Sequence, residues 1–193
     1  MTAESLPLEQ WLQETGALQR GHFRLSSGLH SPAYVQCALL LEDPLRSQQI
    51  GTELARQLPR TRVQSVLSPA MGGLVIGYAV AAALGRSFRF VERVEGRMAL
   101  RRGFSLAPGE RVLIVEDVVT TGKSTLEAMA VAADQGAEIC AVASILDRTE
   151  GQDPFEVPFV SLLDLVLPTF APGECPHCRA GEEITKPGSR PVP

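Results

Sequence analysis

Residues 112–125 read Val-Leu-Ile-Val-Glu-Asp-Val-Val-Thr-Thr-Gly-Lys-Ser-Thr, and this stretch decides the fold. Val112 to Val115 form a short, continuous, largely β-branched run, the pattern of a strand buried on both faces. Two adjacent carboxylates, Glu116 and Asp117, end it. Leu126, Met129, Ala130 and Ala133 then recur at helical spacing as far as Gly136, a helix stop. The loop from Val118 to Ser124 therefore opens a helix. Amides there lack intrahelical partners, and the macrodipole favours an anion. Gly122 permits close backbone approach or a positive φ. Thr120, Thr121, Ser124 and Thr125 add hydroxyl donors. Glu116 and Asp117 would repel a bare phosphate, so they suit sugar hydroxyls or the outer shell of Mg²⁺. The pattern asks for a ligand that carries both a phosphate and a diol.

Gly122-Lys123-Ser124 ends like the phosphate loop of nucleoside triphosphatases. That loop needs a glycine five positions earlier, where Asp117 stands, so this class is disfavoured. Residues 112–125 instead resemble, without a gap, the phosphoribosyl-diphosphate signature of type I phosphoribosyltransferases. In that signature an apolar strand, two acids and two apolar residues precede a Thr/Gly-rich loop. The resemblance implies that Glu116 and Asp117 hold the ribose hydroxyls. It also implies that Val118, Val119, Thr120, Thr121, Gly122, Lys123 and Ser124 wrap the 5′-phosphate.

Three further segments narrow the family. Residues 23–36, Phe-Arg-Leu-Ser-Ser-Gly-Leu-His-Ser-Pro-Ala-Tyr-Val-Gln, are similar to the N-terminal hood of orotate phosphoribosyltransferases. Residues 67–73, Leu-Ser-Pro-Ala-Met-Gly-Gly, resemble that family's second loop, which approaches the diphosphate. Residues 146–149, Leu-Asp-Arg-Thr, resemble its strand-end arginine. Arg148 offers a planar fork for a carboxylate such as orotate's. It follows the apolar run 141–146, at the strand end where open α/β sheets bind ligands. The resemblance puts Arg148 and Thr120 on orotate. Ser26, Ser27 and Gly28 are candidate donors to the pyrimidine edge, and Tyr34 a candidate stacking face. The alternatives are a surface ion pair of Arg148 with Asp147 or Glu150, a plain turn, and a core aromatic.

The chain also departs from the family pattern. Ser26 stands where many members carry a lysine before the hood's Ser-Gly, and Gly72 replaces a second-loop lysine. The mobile catalytic loop commonly holds lysines and a histidine. This chain has Arg93-Val-Glu-Gly-Arg97 there, and its only lysines are Lys123 and Lys186. Arginine is the expected substitute: Arg86, Arg89, Arg93, Arg97, Arg101 and Arg102 cluster between residues 86 and 102. A net charge of −4 gives no global attraction for an anionic substrate, but a local cationic cluster can. Arg93 is the best match for the diphosphate, with Arg97 in a turn that could close over the site. Asp117, Arg93 and Arg97 are the catalytic candidates. At least half of the cluster, Arg86, Arg89 and Arg102 among it, is expected to be solvated.

The composition, 45% apolar, is that of a globular core, and no apolar run reaches the length of a membrane span. No signal pattern or polybasic tract is visible, so neither membrane nor nucleic acid is an expected partner. Cys37 and Cys140 lie in apolar runs and read as buried thiols. Cys175-Pro-His-Cys178 is a lone Cys-x-x-Cys. Zinc needs about four ligands, no second such pair exists, and His177 is poorly spaced as a third. Reduced thiols in a cytoplasm are the simpler expectation, and no directly bound metal is assigned.

A short helix around Leu8, Trp11 and Leu12 ends near Gly16. Extended segments follow near 23–25 and 33–41, and Pro44 opens a helix carrying Leu45, Ile50, Leu54 and Leu58. Strands are predicted over 63–67, 88–91 and 98–104, with a helix over 74–84. After the central strand and helix come a strand over 139–146 and a strand or short helix over 159–165. The predicted fold class is α/β: a mainly parallel sheet with helices on both faces and a small N-terminal hood. The boundaries are one domain over 1–193, with hood 1–42, core 43–170 and an irregular tail 171–193. The resemblance implies a Mg²⁺-using homodimeric transferase of pyrimidine biosynthesis that converts orotate and phosphoribosyl diphosphate to orotidine 5′-phosphate and diphosphate. A phosphoribosyltransferase for another base, or a regulator that senses the ligand without turnover, are the alternatives.

Overall fold

Short β-branched runs become interior strands because both of their faces can be covered by helices. The computed structural model describes residues 6–25, 27–59 and 62–187. The described residues divide into two compact units, one formed by residue 6 with 41–165, the other by 7–40 with 166–187.

In the second unit, α1 (Leu8–Glu14) is followed by β1 (Leu18–Arg24) and β2 (His30–Val35), an antiparallel pair whose register shifts between Arg20 and Phe23. The extended reading of 33–41 is corrected at its end. The strand stops at Val35, and α2 (Cys37–Leu40) turns the chain so that Cys37 and Leu40 are buried.

In the first unit, α3 (Pro44–Gln57) begins where the Asp43 carboxylate accepts the Leu45 amide, an N-cap with Pro at the first position. Its elements continue with β3 (Ser65–Pro69), α4 (Gly73–Leu84), β4 (Ser87–Val94), β5 (Arg97–Leu100), β6 (Arg111–Val119), α5 (Lys123–Asp134), β7 (Glu138–Asp147) and β8 (Phe159–Asp164). The last of these settles the strand-or-helix alternative as strand. The strand predicted over 63–67 begins two residues later, at Ser65.

The sheet order is β5-β4-β3-β6-β7-β8, with every pair parallel except the edge pair β4–β5. On one face Leu67, Val91, Val112, Ile114 and Val142 pack with Ala128 and Ala132 of α5. On the other, α4 lies so close that a Cβ on Gly77 would meet Ser68 Oγ at 2.0 Å. Each fully buried side chain such as Ile114 contributes about 1.5–3 kcal/mol. No helix among the described residues is long and apolar enough to cross a membrane.

One helix face departs from expectation. The buried positions of α5 are Thr125, Ala128 and Ala132, while Leu126 is exposed and Ala130 and Ala133 face out. Small residues let the helix approach the sheet, so the buried stripe is rotated from the one its larger apolar residues predicted.

Candidate functional site

The strand order reverses between β3 and β6: the chain runs outward from β3 through β4 to β5, then returns to the other side of β3 as β6. Ligands of open α/β sheets bind beyond the carboxyl ends of strands at such a reversal. The loop after β3 and the loop after β6 meet there.

β6 is longer than the sequence predicted and carries both acids among its last four residues, with Glu116 opposite Ser144 and Val119 opposite Asp147 of β7. The Glu116 carboxylate accepts the Asp117 amide at 3.3 Å, and Asp117 Oδ1 accepts the Val118 amide at 2.9 Å. Burial, then repulsion from Asp117, pushes the Glu116 carboxyl well above the usual carboxylate range. Burial also raises Asp117. Two desolvated acids side by side favour a shared proton until hydroxyls or a cation arrive.

The second loop fits against this pair through glycine. A Cβ at position 72 would fall 2.5 Å from Asp117 Oδ1, and one at position 73 would fall 3.1 Å from Glu116 Oε1. The family lysine that Gly72 replaces would therefore displace the acid in this arrangement. The Ala70–Met71 peptide in the same loop is cis.

Gly122 takes a left-handed φ of 69°, and a Cβ there would sit 2.6 Å from Pro154 Cγ. Any other residue is disfavoured twice, by conformation and by space. As N-cap of α5 it offers no side-chain acceptor, so the helix's leading amides stay available for an anion. Thr120, Thr121 and Lys123 are exposed around it, and Ser124 is half-buried.

Arg148 follows β7 directly, half-buried, and its amide donates to the Val119 carbonyl at 2.8 Å. That bond holds its backbone beside the start of the loop that begins at Thr120. Thr149 is fixed next to it by the Asp147 carboxylate at 2.7 Å.

Arg93 and Arg97 flank a two-residue hairpin, Glu95-Gly96, both with positive φ, between paired Val94 and Arg97. The segment expected as a mobile loop is thus a tight β-turn joining β4 to β5. Arg93 donates to the Gly96 carbonyl at 2.6 Å and ion-pairs with Glu127 of α5, while Arg97 is exposed. The solvated reading holds for Arg102, whose side chain is largely exposed, and is corrected for Arg89. Arg89 pairs with Glu110 at 2.6 Å, at the end of the sheet away from the phosphate loop. Arg102 pairs with Glu92 at 2.9 Å and lies over the Phe90 ring.

Ser27 and Tyr34 belong to the hairpin unit. Ser27 is exposed and accepts the Leu29 amide at 3.4 Å, and Tyr34 packs on Phe23 with ring centroids 5.9 Å apart. Ser26 lies outside the described residues. Cys37 and Cys140 are buried, as expected.

This sheet reversal, acid pair and open helix start define a domain for phosphorylated sugars. The chain belongs to the phosphoribosyl transferase family, whose domain model matches residues 41–171. Within it the chain belongs to the orotate phosphoribosyltransferases. It is 49% identical over 183 residues to the orotate phosphoribosyltransferase of Thermotoga maritima, covering 95% of this chain and 98% of that one. A solved orotate phosphoribosyltransferase from Aeropyrum pernix superposes with a TM-score of 0.67 at 28% identity, covering 82% of this chain and 93% of that one. An adenine phosphoribosyltransferase from Thermoanaerobacter pseudethanolicus shares the fold alone, with a TM-score of 0.61 at 17% identity over 69% of this chain and 88% of its own.

Proposed function

We propose that this chain transfers ribose 5-phosphate from phosphoribosyl diphosphate to orotate, giving orotidine 5′-phosphate and diphosphate. One observation carries the reading. An acid pair with Glu116 buried and Asp117 half-buried, an uncapped helix start and Arg148 stand together at a single strand-order reversal. Glu116 and Asp117 accept the ribose hydroxyls, and the amides and hydroxyls of 118–124 hold the 5′-phosphate. Arg148 and Thr120 hold orotate.

Orotate nitrogen bonds to C1′ as the bond from C1′ to the diphosphate breaks. The transition state has oxocarbenium character, so no protein nucleophile is needed. Catalysis comes from holding both reactants in line and from stabilising the departing diphosphate. Arg93, with Arg97 nearby, serves that second task after exchanging Glu127 for the diphosphate. Glu116 and Asp117 supply hard oxygen donors, and Gly72 places no side chain over the Asp117 carboxylate, so the site suits Mg²⁺. When bound, Mg²⁺ neutralises diphosphate charge.

The reading includes a homodimeric cytoplasmic enzyme of pyrimidine biosynthesis. The exposed apolar residues Met71, Val75 and Tyr78 support a second copy on that face, and sedimentation of the purified chain tests it. The reaction is tested by supplying phosphoribosyl diphosphate and Mg²⁺ with orotate, uracil or adenine. Diphosphate release with orotate alone is the expected result. Release with adenine in place of orotate, or no release at all, would reject the assignment.

A further inference from the structure

Four side chains that the transfer chemistry does not use converge in the hairpin unit. His22 lies on β1 and His30 opens β2. Cys175 caps the short helix α6 (Pro176–Arg179), and Cys178 lies within it. Their four ligand atoms all fall within 4.8 Å of one another. His22 Nε2 stands 3.0 Å from His30 Nδ1, 3.5 Å from Cys175 Sγ and 3.6 Å from Cys178 Sγ. His30 Nδ1 stands 3.2 Å from Cys178 Sγ. A tetrahedral zinc ion, with bonds of about 2.0 Å to nitrogen and 2.3 Å to sulfur, holds its ligand atoms roughly 3.3–3.8 Å apart. The distances of 3.5 and 3.6 Å fall within that range, and those of 3.0 and 3.2 Å lie just below it.

Hydrogen bonding alone accounts poorly for the convergence. His22 Nδ1 lies 3.0 Å from the Glu182 carbonyl oxygen, which can only accept. In the neutral ring that nitrogen carries the proton, and Nε2 presents a lone pair. One lone pair serves one donor, yet three atoms crowd it. The same carbonyl is the outer partner that orients a metal-binding imidazole.

We propose that His22, His30, Cys175 and Cys178 form a tetrahedral Zn²⁺ site that ties residues 175–178 to the β1–β2 hairpin. Two thiolates with two imidazoles select zinc over the hard cations, and four protein ligands leave no open position, so the role is structural. The scaffold is built for it. The register shift between Arg20 and Phe23 is a bulge that aims His22. Backbone bonds hold the incoming segment on both strands. Arg24 donates to Thr185 at 2.9 Å, Thr185 to His22 at 2.8 Å, and His30 and Phe170 exchange bonds of 2.9 and 2.8 Å. A lone two-stranded hairpin is marginal in water, so a metal staple supplies what its small core lacks. His177 stands outside the set: it stacks on His22 at 5.6 Å and bonds the Glu182 carboxylate at 2.8 Å. The inference is independent of the transferase reading.

The test uses the full chain purified without a histidine tag. Mass spectrometry of metals should find about one zinc per chain, and X-ray absorption should show two sulfurs at about 2.3 Å and two nitrogens at about 2.0 Å. Cobalt(II) in its place should give thiolate charge-transfer bands and intense tetrahedral visible bands. Cys178→Ser should weaken zinc binding by at least about tenfold, whereas His177→Ala should leave it unchanged. Should Cys178→Ser fail to fold, the absorption spectrum of the unaltered chain decides. Zinc below about a tenth of an equivalent after incubation with excess metal, an all-oxygen shell, or release of zinc by His177→Ala would overturn the proposal, as would a Cys175–Cys178 disulfide in reductant-purified protein.

Discussion

The loop after β6 and the four-residue cluster on the β1–β2 hairpin are assembled in opposite ways. The first takes Glu116 to Ser124 from one unbroken stretch, with Arg148 added by a neighbouring strand. The second gathers His22 and His30 with Cys175 and Cys178 from segments far apart in the chain. A contiguous site writes its chemistry into local spacing, because strand, turn and helix fix where each group points. A dispersed site does not, because only the folded hairpin makes its members neighbours.

The sharpest way to break this contrast is at Arg148. Arg148→Ala should weaken orotate binding by about 2–5 kcal/mol, roughly thirtyfold to several thousandfold, as expected for a desolvated charge pair that loses one partner. Calorimetry should show phosphoribosyl diphosphate affinity and zinc content little altered. If orotate affinity is unchanged, the base assignment is wrong. Asp117→Asn should cost about 1.5–3 kcal/mol of phosphoribosyl diphosphate affinity, roughly ten- to a hundredfold, through lost charge-assisted bonds. The hairpin cluster should again be unaffected.

Effects on stability come next. Burial alone would raise Glu110, but Ser65, the Ala107 amide and Arg89 outweigh it and hold its carboxyl below the usual value. Its stabilisation is therefore present above the ordinary carboxylate pKa and is lost as pH falls through the lowered one. Glu110→Gln should destabilise the fold by about 1–3 kcal/mol at neutral pH, measured by urea titration, and by progressively less in acid.

Glu116 has the opposite sign. Its raised pKa means that the folded chain keeps a proton which the unfolded chain releases. Stability without ligand thus falls as pH rises from the ordinary carboxylate range to the raised value, then levels. Glu116→Gln should raise the neutral-pH melting midpoint by roughly 2–4 °C for each kcal/mol relieved, while weakening ribose binding. An unchanged midpoint would mean that the pair is solvated in the free protein.

The parallel sheet, the central strand and helix, and the acid pair were legible because each is encoded within a few residues. The buried face of α5 was not. Alanines occupy both sides of that helix, and Thr125 takes a core position that its hydroxyl disguised. The Glu95-Gly96 turn was legible from its glycine, whereas its closure into a two-residue hairpin depends on the pairing of β4 with β5, which no local signal carries. The tail from Ala171 looked irregular because Pro and Gly break periodicity, although it carries α6 and Thr185 bridges to Phe23. His22 and His30 sit eight residues apart on a bulged hairpin, a spacing that matches no single-segment zinc motif.

The bonds from Phe170 and Thr185 to the hairpin carry a consequence for biosynthesis. During translation, residues 18–35 emerge early, but the segment that completes their sheet arrives only after the whole parallel core has been made. A chain stalled before residue 166 would therefore carry the β1–β2 pair without the backbone bonds from Phe170 and Thr185 that flank it.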